Sequence, residues 1–179
     1  MVKFPENLVR NRPIIVEDYN PDWPLLYEKE ERNILAKLGS AALGIEHIGS
    51  TSVPGLAAKP IIDIIVRIAN LTYARECIPL IESLNYRYLP EVEQVFSERI
   101  FFWKGTEDVH TVHLALMEQT SLHWNNLIAF RDYLKNHPQD AKRYEKLKRE
   151  LAEKYVSNPN SYATGKEEFV ALTLAKIKK

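Results

Sequence analysis

The strongest constraint in this sequence is the run Ile61-Ile62-Asp63-Ile64-Ile65-Val66-Arg67-Ile68. Nearly all of it is β-branched, and such side chains crowd a helix but fit a pleated surface. An apolar run of this length predicts a strand covered on both faces. Period-two alternation puts Ile61, Asp63, Ile65 and Arg67 on one face of that strand. A carboxylate among isoleucines is costly unless it is paired or faces a cleft. The rest of the chain is therefore read around Asp63.

Upstream, Leu43 to Ile48 reads as a second strand, and Gly49 to Lys59 as a loop of small residues turning at Pro54-Gly55. Ile14-Ile15-Val16-Glu17 predicts a short edge strand, and residues 1–13 a polar arm. Asp22 is the expected N-cap, and Pro24 suits the first turn, of a helix. Its stripe of Trp23, Leu26, Tyr27, Ile34 and Leu38 runs to about residue 40. Downstream, residues 71–84 read as helix, with Cys77 a small buried hydrophobe inside it. Tyr86–Leu89, Arg99–Trp103 and Val109–Met117 read as strands, with a turn at Lys104-Gly105.

From Leu122 the spacing is helical. Trp124, Leu127, Ile128 and Leu134 share one stripe; Ala141, Tyr144, Leu147, Leu151 and Tyr155 share another beyond Pro138. Asn158-Pro159-Asn160 breaks the chain again before a last helix at 166–178. Strands and helices mix up to residue 117 and only helices follow. The expected fold class is α+β, a mixed sheet with flanking helices and a helical C-terminal layer. One domain is expected over 1–179, with its core at about 14–117 and its C-terminal helices at about 121–179.

Charge narrows the function classes. Lys+Arg and Asp+Glu balance at 24 each, whereas a general nucleic-acid binder carries basic excess for phosphate contacts. The single cysteine, Cys77, excludes an intrachain disulfide and a CxxC metal site. No apolar run approaches the roughly 20 residues that span a bilayer. Met1-Val2-Lys3-Phe4-Pro5 opens no apolar signal segment, so a cytoplasmic location is expected.

Chemistry concentrates in His47-Ile48-Gly49-Ser50-Thr51-Ser52 and the approach to Asp63. A strand ends at Gly49, where a missing Cβ would let a ligand approach the backbone. The hydroxyls and amides of Ser50, Thr51 and Ser52 can cradle phosphate oxygens. A carboxylate beside such a loop is what Mg²⁺-assisted phosphoryl or nucleotidyl transfer needs. The same residues also read as a plain turn and a structural carboxylate; their conjunction favours a ligand site. His113 is expected to face Asp63 as general base or metal ligand, with a hydrogen-bonded structural histidine as the alternative. Regular alternation puts His110 on the opposite face with Val112, Leu114 and Leu116, unless a bulge intervenes. His47 either orients the phosphate loop or packs in the core. Lys59 either reaches phosphate or is a solvated loop lysine, and Arg99 and Lys104 are cations of the same kind.

The block from His47 to Ile64 resembles the signature of the GrpB family. So do Phe101-Phe102-Trp103-Lys104-Gly105, the pair His110 and His113, Phe130-Arg131-Asp132-Tyr133-Leu134, and Tyr162 with Lys166 and Phe169. The resemblance covers about residue 14 to the end. It implies a nucleotidyltransferase-like fold of the DNA polymerase beta type. On that likeness Gly49 and Ser50 hold a triphosphate and Asp63 binds Mg²⁺. One departure stands out: the superfamily carries a second carboxylate two residues from the first, and here positions 61 and 65 are both Ile.

The expected function is Mg²⁺-dependent nucleotidyl or phosphoryl transfer to a small molecule, with Asp63 and His113 catalytic. Gly49, Ser50, Thr51, Ser52, Lys59, His47 and His110 would bind substrate. The alternative is a non-catalytic protein that binds a nucleotide or other phosphorylated metabolite. A metal-dependent hydrolase built on His110 and His113 ranks behind both.

Overall fold

The computed structural model describes residues 13–107 and 109–178. Its strands are β1 (Gly44–Ile48), β2 (Ile62–Ile68), β3 (Arg87–Tyr88), β4 (Arg99–Gly105) and β5 (His110–Glu118). Its helices are α1 (Trp23–Leu38), α2 (Leu71–Glu76), α3 (Ile78–Glu82), α4 (Leu122–Asn136), α5 (Pro138–Lys154), α6 (Pro159–Thr164) and α7 (Glu167–Ile177). The strands make one mixed sheet in the order β1-β2-β5-β4-β3. β2 and β5 run parallel at its centre; the other neighbours are antiparallel. Among the described residues no helix is long and apolar enough to cross a membrane.

The central strand is covered on both faces. Ile62, Ile64, Val66 and Ile68 join Val112, Leu114, Leu116, Ile100 and Phe102 on one side, against Trp23, Ile34 and Leu38 of α1, Ala74 of α2 and Ile81 of α3. On the other side Ile65, Ala115, Met117 and Ile48 pack on Trp124 of α4. The C-terminal helices close that second face through Val53, Leu56, Leu134, Ala141 and Tyr144. Asp63 lies on the second face, under the helical layer.

Local chemistry explains where the chain departs from expectation. Ile14–Glu17 forms only a single bridge, Glu17 to Ala58, rather than a strand. Asp22 stands at the N-cap of α1 but in helical conformation, and its side chain caps nothing. Its N–H is instead taken by Asn20 Oδ1 at 2.8 Å. The helix expected at 71–84 divides at Cys77, because Pro79 has no N–H to continue the ladder and starts α3 instead. The break at Asn158-Pro159 opens α6, with the Asn158 side chain accepting from Ser161 N–H at 3.0 Å. The arm expected at 1–13 lies almost wholly outside the described residues.

A polar clasp ties α1 to the sheet. Glu30, 9% exposed, accepts from Lys104 Nζ at 2.8 and 2.9 Å and from the Tyr86 hydroxyl at 2.8 Å. Lys104 is thereby committed to structure on the face away from Asp63. Arg99 lies on the Asp63 face but outside the cleft lining, with its guanidinium 3.8 Å from the Phe96 ring centre.

Phe102 has no exposure and anchors the first face. Phe102→Ala should cost about 3–5 kcal/mol, read as a lower denaturation midpoint in urea. Leu122→Ala, at a side chain 79% exposed, should change stability by less than about 0.5 kcal/mol.

Candidate functional site

Ile48, Asp63, His113 and Trp103 are register partners and form one row across β1, β2, β5 and β4. Paired residues project to the same face, so the row meets the underside of the helical layer. Asp63 Oδ1 accepts from His113 Nδ1 at 3.2 Å. His113 Nε2 lies 3.2 Å from His110 Nδ1. With Asp63 ionised, a consistent set of tautomers has each histidine donating from Nδ1. The carboxyl is pushed up by burial, but the His113 bond, the His113 charge and the fields of Lys59 and Lys166 outweigh this and hold it below the usual aspartate range.

The regular alternation that separated the two histidines fails at a bulge. Lys104 pairs with Val112 and Gly105 with His110, so Thr111 is the extra residue of β5. Thr111 turns outward and donates to Lys104 O at 3.2 Å. His110 is thereby brought to the side of His113 and stacks on Trp103, ring centres 4.2 Å apart. It is therefore not part of the Val112 and Leu114 core face. The sequence signal was Gly105, whose φ of +131° few other residues adopt.

Gly49 has a different use from the one its position implied. Its φ is +73°, and a Cβ there would overlap Asp63 Oδ2 and lie 3.1 Å from Asp63 Cγ. The space left by the missing side chain is filled by the carboxylate, not held open for a ligand. Two of the three hydroxyls are also committed. Ser52 Oγ donates to Gly49 O at 2.6 Å, and Thr51 Oγ1 donates to Ile61 O at 3.1 Å. Ser50 keeps its hydroxyl uncommitted among the described residues. Gly49, Ser50 and Thr51 line the cleft above Asp63; Ser52 does not.

His47 sits on the opposite face of β1 and does not line the cleft. Its Nε2 donates to Thr51 Oγ1 at 3.0 Å, and its ring stacks on Tyr27 at 4.7 Å. Burial pushes its imidazole down to about 4, so it is a neutral brace behind the loop.

The cleft holds about 400 Å³, within the usual range for small-molecule sites. Its polar lining includes Ser50, Lys59, Asp63, His113, Lys148 and Lys166; its apolar wall comes from Leu127, Phe130, Tyr144, Tyr162 and Val170. Lys148 on α5 is 2% exposed and donates to Ala57 O. Burial, then the neighbouring Lys166 charge, pushes its amine down to about 7. Lys166, at the start of α7, is pushed down to about 8 by burial and then by Lys59. Burial also lowers Lys59. Both Lys59 and Lys166 rest over the Tyr162 ring, at 5.5 and 4.6 Å from its centre. Among the described residues neither amine has a hydrogen-bond or ion-pair partner. Arg131 also borders the cleft, but Glu46 at 2.6 Å, Asp132 at 2.7 Å and His47 O at 2.9 Å occupy it. Sequence spacing gave no role to Lys148, which reaches the site from a helix whose relation to Asp63 no local period encodes; Lys166 stood in the motif with Tyr162 and Phe169 but without a role.

The donor set does not fit a resident Mg²⁺. That ion wants octahedral oxygen, normally from one or two carboxylates plus substrate phosphates. Among the described residues no three His, Cys, Asp or Glu side chains gather as a metal site. Among the described residues Asp63 is the one carboxylate lining the cleft, and its Oδ1 is engaged. Glu46 shares the sheet face but is paired with Arg131. The same shortage leaves the two histidines without a third metal ligand. A separate depression of about 420 Å³ along α5 is a charged surface on which Arg149 pairs with Glu145 at 3.1 Å and Lys146 with Glu150 at 3.8 Å.

The model of the family described as GrpB protein matches residues 13–176. This chain belongs to the GrpB family. A UPF0157 protein of Pseudomonas aeruginosa is 36% identical over 162 residues, covering 88% of this chain and 64% of its own length. What that longer protein does as a whole is therefore not carried over. The crystal structure of conserved protein GrpB from Enterococcus faecalis is 32% identical and superposes with a TM-score of 0.81, over 92% of this chain and all of that one. Cid1 in complex with its short product ApU reaches 13% identity and a TM-score of 0.47 over 84% of this chain and 46% of its own. So distant a likeness carries no functional weight.

Gly49→Ala should be destabilising by about 1–3 kcal/mol, from the positive φ and the displaced carboxylate. The expected readout is a lower melting temperature together with loss of the Asp63–His113 hydrogen bond in the histidine NMR spectrum.

Proposed function

We propose that this chain binds a nucleotide or similarly phosphorylated small molecule in the cleft and transfers a phosphoryl or nucleotidyl group from it to a small acceptor. The observation that carries the reading is the convergence, on one pocket, of an ionised carboxylate held by histidine and two half-buried amines that have no hydrogen-bond or ion-pair partner among the described residues. Phosphate oxygens would lie against Ser50, Lys59 and Lys166. The acceptor hydroxyl would attack phosphorus while Asp63 takes its proton. The displaced group, a nucleoside diphosphate in phosphoryl transfer or pyrophosphate in nucleotidyl transfer, would leave toward the amines. His113 is a positioning residue that holds the carboxylate, with His110 fixing the His113 tautomer from behind. Preorganised cations at the developing phosphate charge supply electrostatic stabilisation.

A second reading, binding without turnover, is favoured by one observation: the site has a single carboxylate. The two readings separate in one variant. Asp63→Asn removes the proton acceptor and also a negative charge facing the phosphates. It should lower turnover by about 10²–10⁴ while keeping or strengthening the melting shift caused by the nucleotide. A screen of nucleoside triphosphates by thermal shift, followed by release of nucleoside diphosphate or pyrophosphate with small alcohol acceptors, checks both. Turnover unchanged in Asp63→Asn contradicts the transfer reading. Binding with no release by the wild type favours the binder.

A further inference from the structure

We infer that Lys59 and Lys166 form a cationic clamp that takes the phosphate end of a polyphosphate ligand without a divalent metal. This rests on the phosphate-site reading above and sharpens it by assigning the charge partner.

The geometry comes first. Lys59 leaves the loop just before β2, and Lys166 stands at the junction of α6 and α7. They line one pocket and share a neighbour, the Tyr162 ring, at 5.5 and 4.6 Å. An exposed lysine would turn its amine to water. These two point into a cleft walled by Phe130, Tyr144 and Val170 and have no hydrogen-bond or ion-pair partner among the described residues. Lys148 adds a third amine, anchored on Ala57 O. Against these stands one carboxylate, Asp63, already bonded to His113.

Such an imbalance is unfavourable in the free protein. Buried charges are normally paired, and an unpaired one lowers stability or sheds its proton. Burial and mutual repulsion hold the Lys166 amine down in this way. Among the described residues the groups acting on it are Lys59, Asp63, Lys148 and the Tyr162 ring, with Asp63 the one anion of that set. A di- or triphosphate placed between the two amines supplies the missing negative charge and makes charge-assisted hydrogen bonds to both. Magnesium usually neutralises such a ligand, held by acidic side chains. Here the acidic partner expected at Ile61 or Ile65 is absent, and ammonium groups occupy the cleft instead.

The clamp distinguishes itself from a metal site by its response to chelation. ATP, GTP, CTP, UTP and inorganic tripolyphosphate are titrated calorimetrically at fixed ionic strength, once with excess EDTA and once with excess Mg²⁺. At least one should bind in EDTA as tightly as in Mg²⁺ or more tightly, since Mg²⁺ removes charge the amines would meet. Lys59→Met and Lys166→Met should each weaken that binding at least tenfold. Both variants should melt at or above the wild-type temperature, because each removes a half-buried charge that has no ion-pair partner among the described residues; this separates a lost ligand site from a lost fold. Binding that requires Mg²⁺, or binding in EDTA that survives both substitutions, overturns the clamp and leaves the phosphate site standing. Binding of none of the five in either buffer overturns both.

Discussion

The interaction on which the site depends is the seat of Asp63. A carboxylate at the start of a buried isoleucine strand is tolerable because three neighbours are arranged for it. Gly49 gives up its side chain so that Oδ2 can occupy the space. His113, its register partner on β5, donates to Oδ1. The end of β1 and the start of β2 are held together by Thr51 bonding Ile61 O, with the neutral His47 bonding Thr51 from the far face. Each of these contacts is a consequence of strand register, so the sheet and the site are specified together. Burial that would neutralise a lone carboxylate is overcome by its donors and by nearby amines.

The two faces of the sheet have different tasks. One carries a continuous apolar core against α1, α2 and α3, with the Glu30–Lys104–Tyr86 clasp as its polar tie. The other is apolar at Ile65, Ala115 and Met117, where Trp124 packs; at the Asp63 end it opens to the cleft, and the C-terminal helices supply most of its walls and two of its lysines. The helical layer therefore does more than cover the sheet. Lys148 and Lys166 come from it, as do Tyr144 and Tyr162.

Much of this was legible from local pattern. The β-branched run fixed β2 and its two-sided burial, and the change to helical spacing after residue 117 marked the layer that follows. Asp63 was conspicuous because its chemistry conflicts with its neighbours. What escaped the sequence depended on non-local geometry. The bulge at Thr111 overturned the separation of His110 from His113, because one inserted residue reverses a period-two argument. The role of Gly49 needed the Asp63 side chain to be placed. The hydroxyls of Thr51 and Ser52 looked available until their acceptors were known. Lys166 lies 103 positions beyond Asp63 in the chain, and no spacing rule connects them.

The central claim is that the cleft is a phosphate site completed by lysines. The most direct test is a crystal structure of the protein grown with the tightest-binding nucleoside triphosphate. Phosphate oxygens should lie within hydrogen-bond distance of Lys59 Nζ and Lys166 Nζ, beside the Gly49-Ser50 turn, with the acceptor side of the ligand open to Asp63. A triphosphate seated elsewhere, such as on the charged surface of α5, with both amines still unpaired, would contradict it.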